Sequence, residues 1–148
     1  IRVVDGLNNS LSGGDGNDLL FASAGEDRLY GGAGNDRIDA GDGDDLIYGG
    51  AGADVMSGGA GADRFVFLKP DMGATDTIRD FFGDEGDRID LRALAAGVLV
   101  WRGDLAFTGT ANEVRVADGL VQVDANGDGV ADLTIDVGYD LVESDFWL

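Results

Sequence analysis

The sequence predicts an all-β protein: a right-handed parallel β-roll of nonapeptide repeats, closed by a C-terminal β-rich cap. Three observations lead there. A nine-residue pattern runs without a gap over residues 4–66. Glycine occurs 26 times in 148 residues, mostly at fixed places in that pattern. The formal net charge is −19, carried almost wholly by aspartate, because the 29 acidic residues include only the glutamates Glu26, Glu85, Glu113 and Glu143.

The seven units read VDGLNNSLS, GGDGNDLLF, ASAGEDRLY, GGAGNDRID, AGDGDDLIY, GGAGADVMS and GGAGADRFV. Position six holds Asn9, Asp18, Asp27, Asp36, Asp45, Asp54 and Asp63. Position eight holds Leu11, Leu20, Leu29, Ile38, Ile47, Met56 and Phe65. Position four is glycine in every unit except the first, where Leu7 stands. Gly, Ala, Asn and Asp together make a tight turn. The residues around the position-eight hydrophobe make a very short strand. Two units form one coil, and seven form an array only about 15 Å long at the usual strand spacing. A flexible glycine-rich linker would not keep a hydrophobe in register every nine residues.

Stacking identical turns has an electrostatic cost. Carboxylates about 5 Å apart repel by several tenths to a few kcal/mol, depending on the dielectric. The turns also present unpaired carbonyls. A Ca²⁺ ion between stacked turns answers both needs, because it accepts several oxygens in flexible geometry, whereas Mg²⁺ demands a tighter octahedron.

These units resemble the GGxGxDxUx repeat of RTX proteins, a calcium-binding β-roll family. The resemblance implies sites between turns two units apart. One would take Gly14, Gly16, Asp18, Gly31, Ala33 and Asp36; the next on that edge Gly32, Gly34, Asp36, Gly49, Ala51 and Asp54. The opposite edge would use Ser23, Gly25, Asp27, Ala40, Asp42 and Asp45, then Gly41, Gly43, Asp45, Gly58, Ala60 and Asp63. A site on Asn9 and Asp27 is weaker, since Asn brings no charge.

The period stops after Phe67, and a loop is expected at Lys69 and Pro70. The cap, residues 67–148, should hold short strands at 76–82, 87–91, 98–101, 113–116, 120–123 and 133–137, with one helical turn at 92–96 closed by Gly97. The segment DTIRDFFGDEGDRIDLRAL resembles the one that follows the repeats in serralysin-type metalloproteases, and similar segments occur in alginate epimerase modules. By that resemblance Asp80 and Asp87 close a terminal calcium site with Gly59, Gly61 and Asp63; the alternative is turn and strand capping. Asp124, Asn126, Asp128 and Asp132 fall at EF-hand-like spacing, but Ile135 stands where a bidentate Glu belongs. Asn-Gly between alternating strands reads more simply as a hairpin turn. The end, Asp145-Phe146-Trp147-Leu148, resembles an uncleaved type I secretion signal; it can equally dock on the core.

Composition removes several functions. With no Cys there are no disulfides or thiolate zinc sites, and with no His there is no HExxH zinc motif and no His-based triad. Ten basic residues against 29 acidic ones argue against nucleic acid. No apolar run approaches a membrane span, and residues 1–4 run into Asp5 and Gly6 without a leader-like stretch. The expectation is a non-catalytic, monomeric, secreted module of a Gram-negative bacterium. It folds on calcium after type I export and supports an upstream catalytic domain of the serralysin metalloprotease kind. The alternative is a module that binds an anionic polysaccharide, as in alginate epimerases.

Overall fold

The computed structural model describes residues 1–2, 5–69, 72–94, 97–138 and 141–148. Within these, fourteen strands run in chain order: β1 Ser10–Asp15, β2 Leu19–Phe21, β3 Arg28–Ala33, β4 Arg37–Asp42, β5 Leu46–Ala51, β6 Val55–Ala60, β7 Arg64–Val66, β8 Thr75–Ile78, β9 Arg88–Asp90, β10 Val100–Trp101, β11 Glu113–Ala117, β12 Leu120–Asp124, β13 Leu133–Asp136 and β14 Phe146–Trp147. A short 3-10 segment, Glu143–Asp145, precedes β14. Odd and even repeat strands separate into two sheets. One is ordered β1-β3-β5-β7-β9-β14, the other β10-β11-β12-β13-β8-β6-β4-β2.

The position-eight residues form the core between the sheets. Leu11, Leu29, Ile47, Phe65 and Ile89 align across parallel strands, and Phe146 extends that column. Leu20, Ile38, Met56 and Ile78 align in the other sheet. Nine of these ten residues are at most 3% exposed, and Phe146 is 6% exposed. One buried hydrophobe per three-residue strand suffices because each coil covers the next.

Most repeat strands are longer than the pattern suggests. Strands β3 to β6 are six residues each and run on through the following Gly-Gly-x or Ala-Gly-x. Gly32 pairs with Gly50 and Ala33 with Ala51. Intrinsic propensity disfavours glycine in strands, but neighbours in register extend the ladder through them.

Both sheets continue past Val66. Strand β8 pairs in parallel with β6, and β9 with β7. The cap then joins by an antiparallel β11-β12-β13 meander set against β8, with β10 added in parallel on β11. The strand expected at 76–82 is only Thr75–Ile78, because Asp80 turns away to bond the β6 rung. Arg92 to Leu94 make a turn closed by a bond from Leu94 N to Leu91 O; the expected helical turn's last residues, 95 and 96, and the loop residue 70 lie outside the described residues.

The C-terminal residues are the last strand of the first sheet. Phe146 is buried against Trp101 at 5.1 Å between ring centroids. Trp147 packs under the guanidinium groups of Arg64, at 4.5 Å, and Arg92, at 4.8 Å. Both arginines bond the buried Asp90. Burial opposes its ionisation, but Arg92 and Arg64 hold its carboxyl below the ordinary range. This clasp ties the last repeat strand to the tail.

Candidate metal centre

Each repeat aspartate reaches back one coil. Oδ1 of Asp27, Asp36, Asp45, Asp54 and Asp63 accepts a hydrogen bond from the backbone N–H eighteen residues earlier, at 2.6–3.0 Å. The other oxygen has no such partner. Oδ2 of Asp18, Asp27, Asp36, Asp45, Asp54 and Asp63 is buried and meets no hydrogen-bond donor. A buried polar oxygen without a donor is costly, and an ionised one far more so. Six lie in two rows, one along each edge of the roll, where a cation would supply the missing partner.

The carbonyls complete the lining. A methyl group placed on Gly13 would lie 2.5 Å from Gly31 O and 2.7 Å from Asp18 Oδ2. One placed on Gly31 would run into Gly49 O and Asp36 Oδ2. Carbonyls of Gly14, Gly16, Gly32 and Gly34 abut the glycines of the next coil on one edge, and those of Ser23, Gly25, Gly41 and Gly43 do so on the other. The carbonyls of Ala33, Ala51, Asp42 and Ala60 also accept from Gly16, Gly34, Gly25 and Gly43 N–H at 2.7–2.9 Å, which leaves each a second lone pair. Positive φ at Gly34, +129°, and Gly43, +138°, lets the turns approach this closely. The donor set is all oxygen, with two carboxylates per gap, and it suits Ca²⁺. No group of three or more acidic side chains forms a metal cluster among the described residues, so the carbonyls are indispensable here.

A second ladder, not read from the sequence, runs beside the first. Position-five side chains of Asn8, Asn17, Asn35 and Asp44 accept from the N–H eighteen residues later, at 2.8–3.0 Å. Its signal was Asn or Asp at position five in four units. It needs no metal, so it separates structural amides and acids from the inner row.

Other candidates differ from the repeat sites. Asn9 turns its amide Nδ2 to Leu7 O and Asp5 Oδ1, at 2.7 and 2.8 Å, so amide hydrogens occupy one would-be ligand of that first gap. Asp80 and Asp87 come to the same end of the roll, but all four carboxylate oxygens have donors. Asp80 accepts from Gly58 N, Gly59 N and the Ser57 hydroxyl. Asp87 accepts from Asp63 N and Phe82 N, at 2.9 and 2.7 Å. In the β12–β13 hairpin, Asp124 accepts from Gly127 and Gly129 N–H, and Asp132 from Ala125, Asn126 N–H and the Asn126 amide. That loop satisfies its own charges, as the hairpin reading expects.

Burial pushes the carboxyls of Asp45 and Asp63 from the usual 3.8 up to about 7, with neighbouring carboxylates adding to it. Asp36, Asp54 and Asp87 are raised for the same first reason. Between the ordinary value and about 7, the metal-free fold binds protons that the unfolded chain has released, so its stability falls as pH rises through that window. Any β-structure that survives in chelator should therefore be greater near pH 5.5 than at pH 7.5 by circular dichroism; equal or smaller content at the lower pH would contradict this.

A model of the RTX calcium-binding nonapeptide repeat, in four copies, matches residues 4–38 and again residues 30–65. The repeat region belongs to this RTX family. Calcium is the ion that RTX nonapeptides bind, in accord with the oxygen lining of the gaps. The RTX module is similar to the AlgE6R2 subunit of Azotobacter vinelandii mannuronan C5-epimerase in solution: 26% identity, 95% of this chain and 92% of that one covered, TM-score 0.53. The AlgE6R3 subunit of the same epimerase is 30% identical over 90% of this chain and 74% of that one, with TM-score 0.47. Comparison with curated proteins gave no match.

Proposed function

We propose that this chain is the calcium-folded, non-catalytic module of a secreted bacterial enzyme. The carrying observation is the double row of six buried carboxylate oxygens without donors. A chain with so many buried anions stays open where calcium is scarce, and such a chain can pass a type I exporter. At extracellular calcium of about 10⁻⁴–10⁻³ M, binding to the folded state alone drives folding by mass action. The folded roll then supports a catalytic domain upstream on the same polypeptide. That this domain is a serralysin-like metalloprotease is supported by the resemblance of residues 76–94 and 145–148. The test is secretion of the full-length parent protein with and without the repeats: the reading expects the repeat-deleted protein to lose activity in calcium, and unchanged activity would sink it.

A second reading has its own observation. Tyr30 and Tyr48 stack at 4.7 Å on the outer face of the first sheet. They stand over a glycine-floored groove of about 430 Å³ walled by Leu68. Arg28, Arg64 and Arg88 share a register column beside them. Aromatic rings and arginines on one face suit an anionic sugar polymer, and the similarity to epimerase subunits favours it. Arg64 is already held by Asp90, which thins the charge available. Calorimetric titration with mannuronate oligomers in calcium should give binding that Tyr48→Ala weakens at least tenfold. Absence of heat at millimolar oligomer would remove this reading.

A further inference from the structure

We propose a further calcium site that the nine-residue period does not announce, between Asp54 and Asp76. It rests on the reading that stacked repeat turns bind calcium. Asp54 and Asp76 are 22 residues apart rather than 18, and Asp76 lies beyond the last repeat. The rung geometry is nevertheless kept. Strand β8 lies in parallel register on β6, with Val55 opposite Thr77 and Met56 opposite Ile78. Thr77 N donates to Asp54 O at 2.8 Å, as Val55 N does to Asp36 O at 2.9 Å one coil lower. Asp54 N donates to Asp76 Oδ1 at 2.9 Å, as Asp36 N does to Asp54 Oδ1 at 2.8 Å. Asp76 is 1% exposed.

The second observation is the free oxygen of Asp54. Its Oδ2 is buried without a donor, in a side chain 1% exposed. It lies beside Gly49 of its own turn, 2.5 Å from where a methyl group there would sit. One coil lower, Asp36 Oδ2 holds the same place beside Gly31 and faces Gly49 O of the coil above. Asp54 Oδ2 therefore faces the Asp76 rung. Gly50 lies in register on Gly32 and Gly52 stacks on Gly34 O, so their carbonyls are the counterparts, one coil higher, of those that line the lower gap. One difference matters. No carbonyl from the upper rung is among the nearest neighbours of a methyl group on Gly49, unlike one on Gly13 or Gly31. This site thus offers two carboxylates and two carbonyls, and water completes the shell. Calcium tolerates such mixed coordination. The site should be the weakest of its edge and fill last.

Asp76→Asn keeps the oxygen that accepts from Asp54 N–H and removes the charge. Native mass spectrometry of the full chain in saturating calcium should count one ion fewer than in the wild type. Asp54→Asn should lose two, because Asp54 serves this gap and the one below. An unchanged count for Asp76→Asn that folds as the wild type does by circular dichroism overturns the proposal. Should Asp76→Asn fail to fold, the Asp54→Asn count decides alone: two ions lost supports the site, and one overturns it. A wild type that binds no calcium would instead overturn the repeat reading on which the site rests.

Discussion

Chelating calcium at pH 7.5 is expected to abolish the β-sheet spectrum of the whole chain. Without the ion, the buried Oδ2 atoms of the six repeat aspartates lack donors. Each ionised carboxylate buried uncompensated costs several kcal/mol, against a total stability of about 5–15 kcal/mol for a domain. Six such groups together exceed that margin. Protonation relieves part of the cost for Asp45 and Asp63, but near pH 7.5 little of that relief is left. The loss should not stop at the repeats. Strand β9 pairs only with β7 and β14, so the clasp around Trp147 loses its floor when β7 goes. Far-ultraviolet circular dichroism in EDTA and in millimolar calcium measures this. A spectrum unchanged by EDTA would show that the roll stands on its packing alone.

The largest effect expected of a single substitution is that of Gly41→Ala. Gly41 has φ +114°, where an L side chain is strained. Its methyl group would run into Ser23 O and lie 2.8 Å from Ser23 C, both backbone atoms that cannot swing aside. Strain and overpacking each cost about 1–3 kcal/mol, giving a loss on the order of 3 kcal/mol or more. Ser23 O and Gly41 O also line successive gaps of one edge, so calcium affinity should drop with stability. The melting temperature in saturating calcium should fall by roughly 6–12 °C for a chain of this size. Gly6→Ala is the control: nothing lies within 4 Å of its Cβ position, and its melting temperature should move by no more than about 2 °C. Equal shifts for the two variants would contradict the close approach of stacked turns.

The sequence made the roll legible because its signal is redundant. A hydrophobe every nine residues can only build a stacked core, and Leu20, Ile38 and Met56 do so in register. The inner aspartates were legible for the same reason. What escaped lay where repetition was broken or where local propensity misled. The strands run on through residues such as Gly31 and Gly32 because their neighbours are copies of themselves, which no single-segment propensity registers. The rung at Asp76 escaped because an insertion moves it 22 residues from its partner, although Asp76-Thr77-Ile78 keeps the D-x-hydrophobe signature; Asp87, 24 residues from Asp63, was legible only through the family resemblance. The second ladder at Asn8, Asn17, Asn35 and Asp44 was hidden in residues that any turn would use. The tail strand follows from Phe146 and Trp147 being apolar, but its pairing with β9 depends on a long-range choice that the sequence does not mark.

Diffraction from crystals grown in calcium, or with a lanthanide in its place for anomalous scattering, tests the central claim most directly. The account predicts ions in the gaps between Asp18 and Asp36, Asp36 and Asp54, Asp27 and Asp45, and Asp45 and Asp63, each bound to oxygens of both turns at about 2.3–2.6 Å. Ions found only at outer acids such as Asp15 and Asp44, or in the hairpin from Asp124 to Asp132, with those four gaps empty, would contradict it.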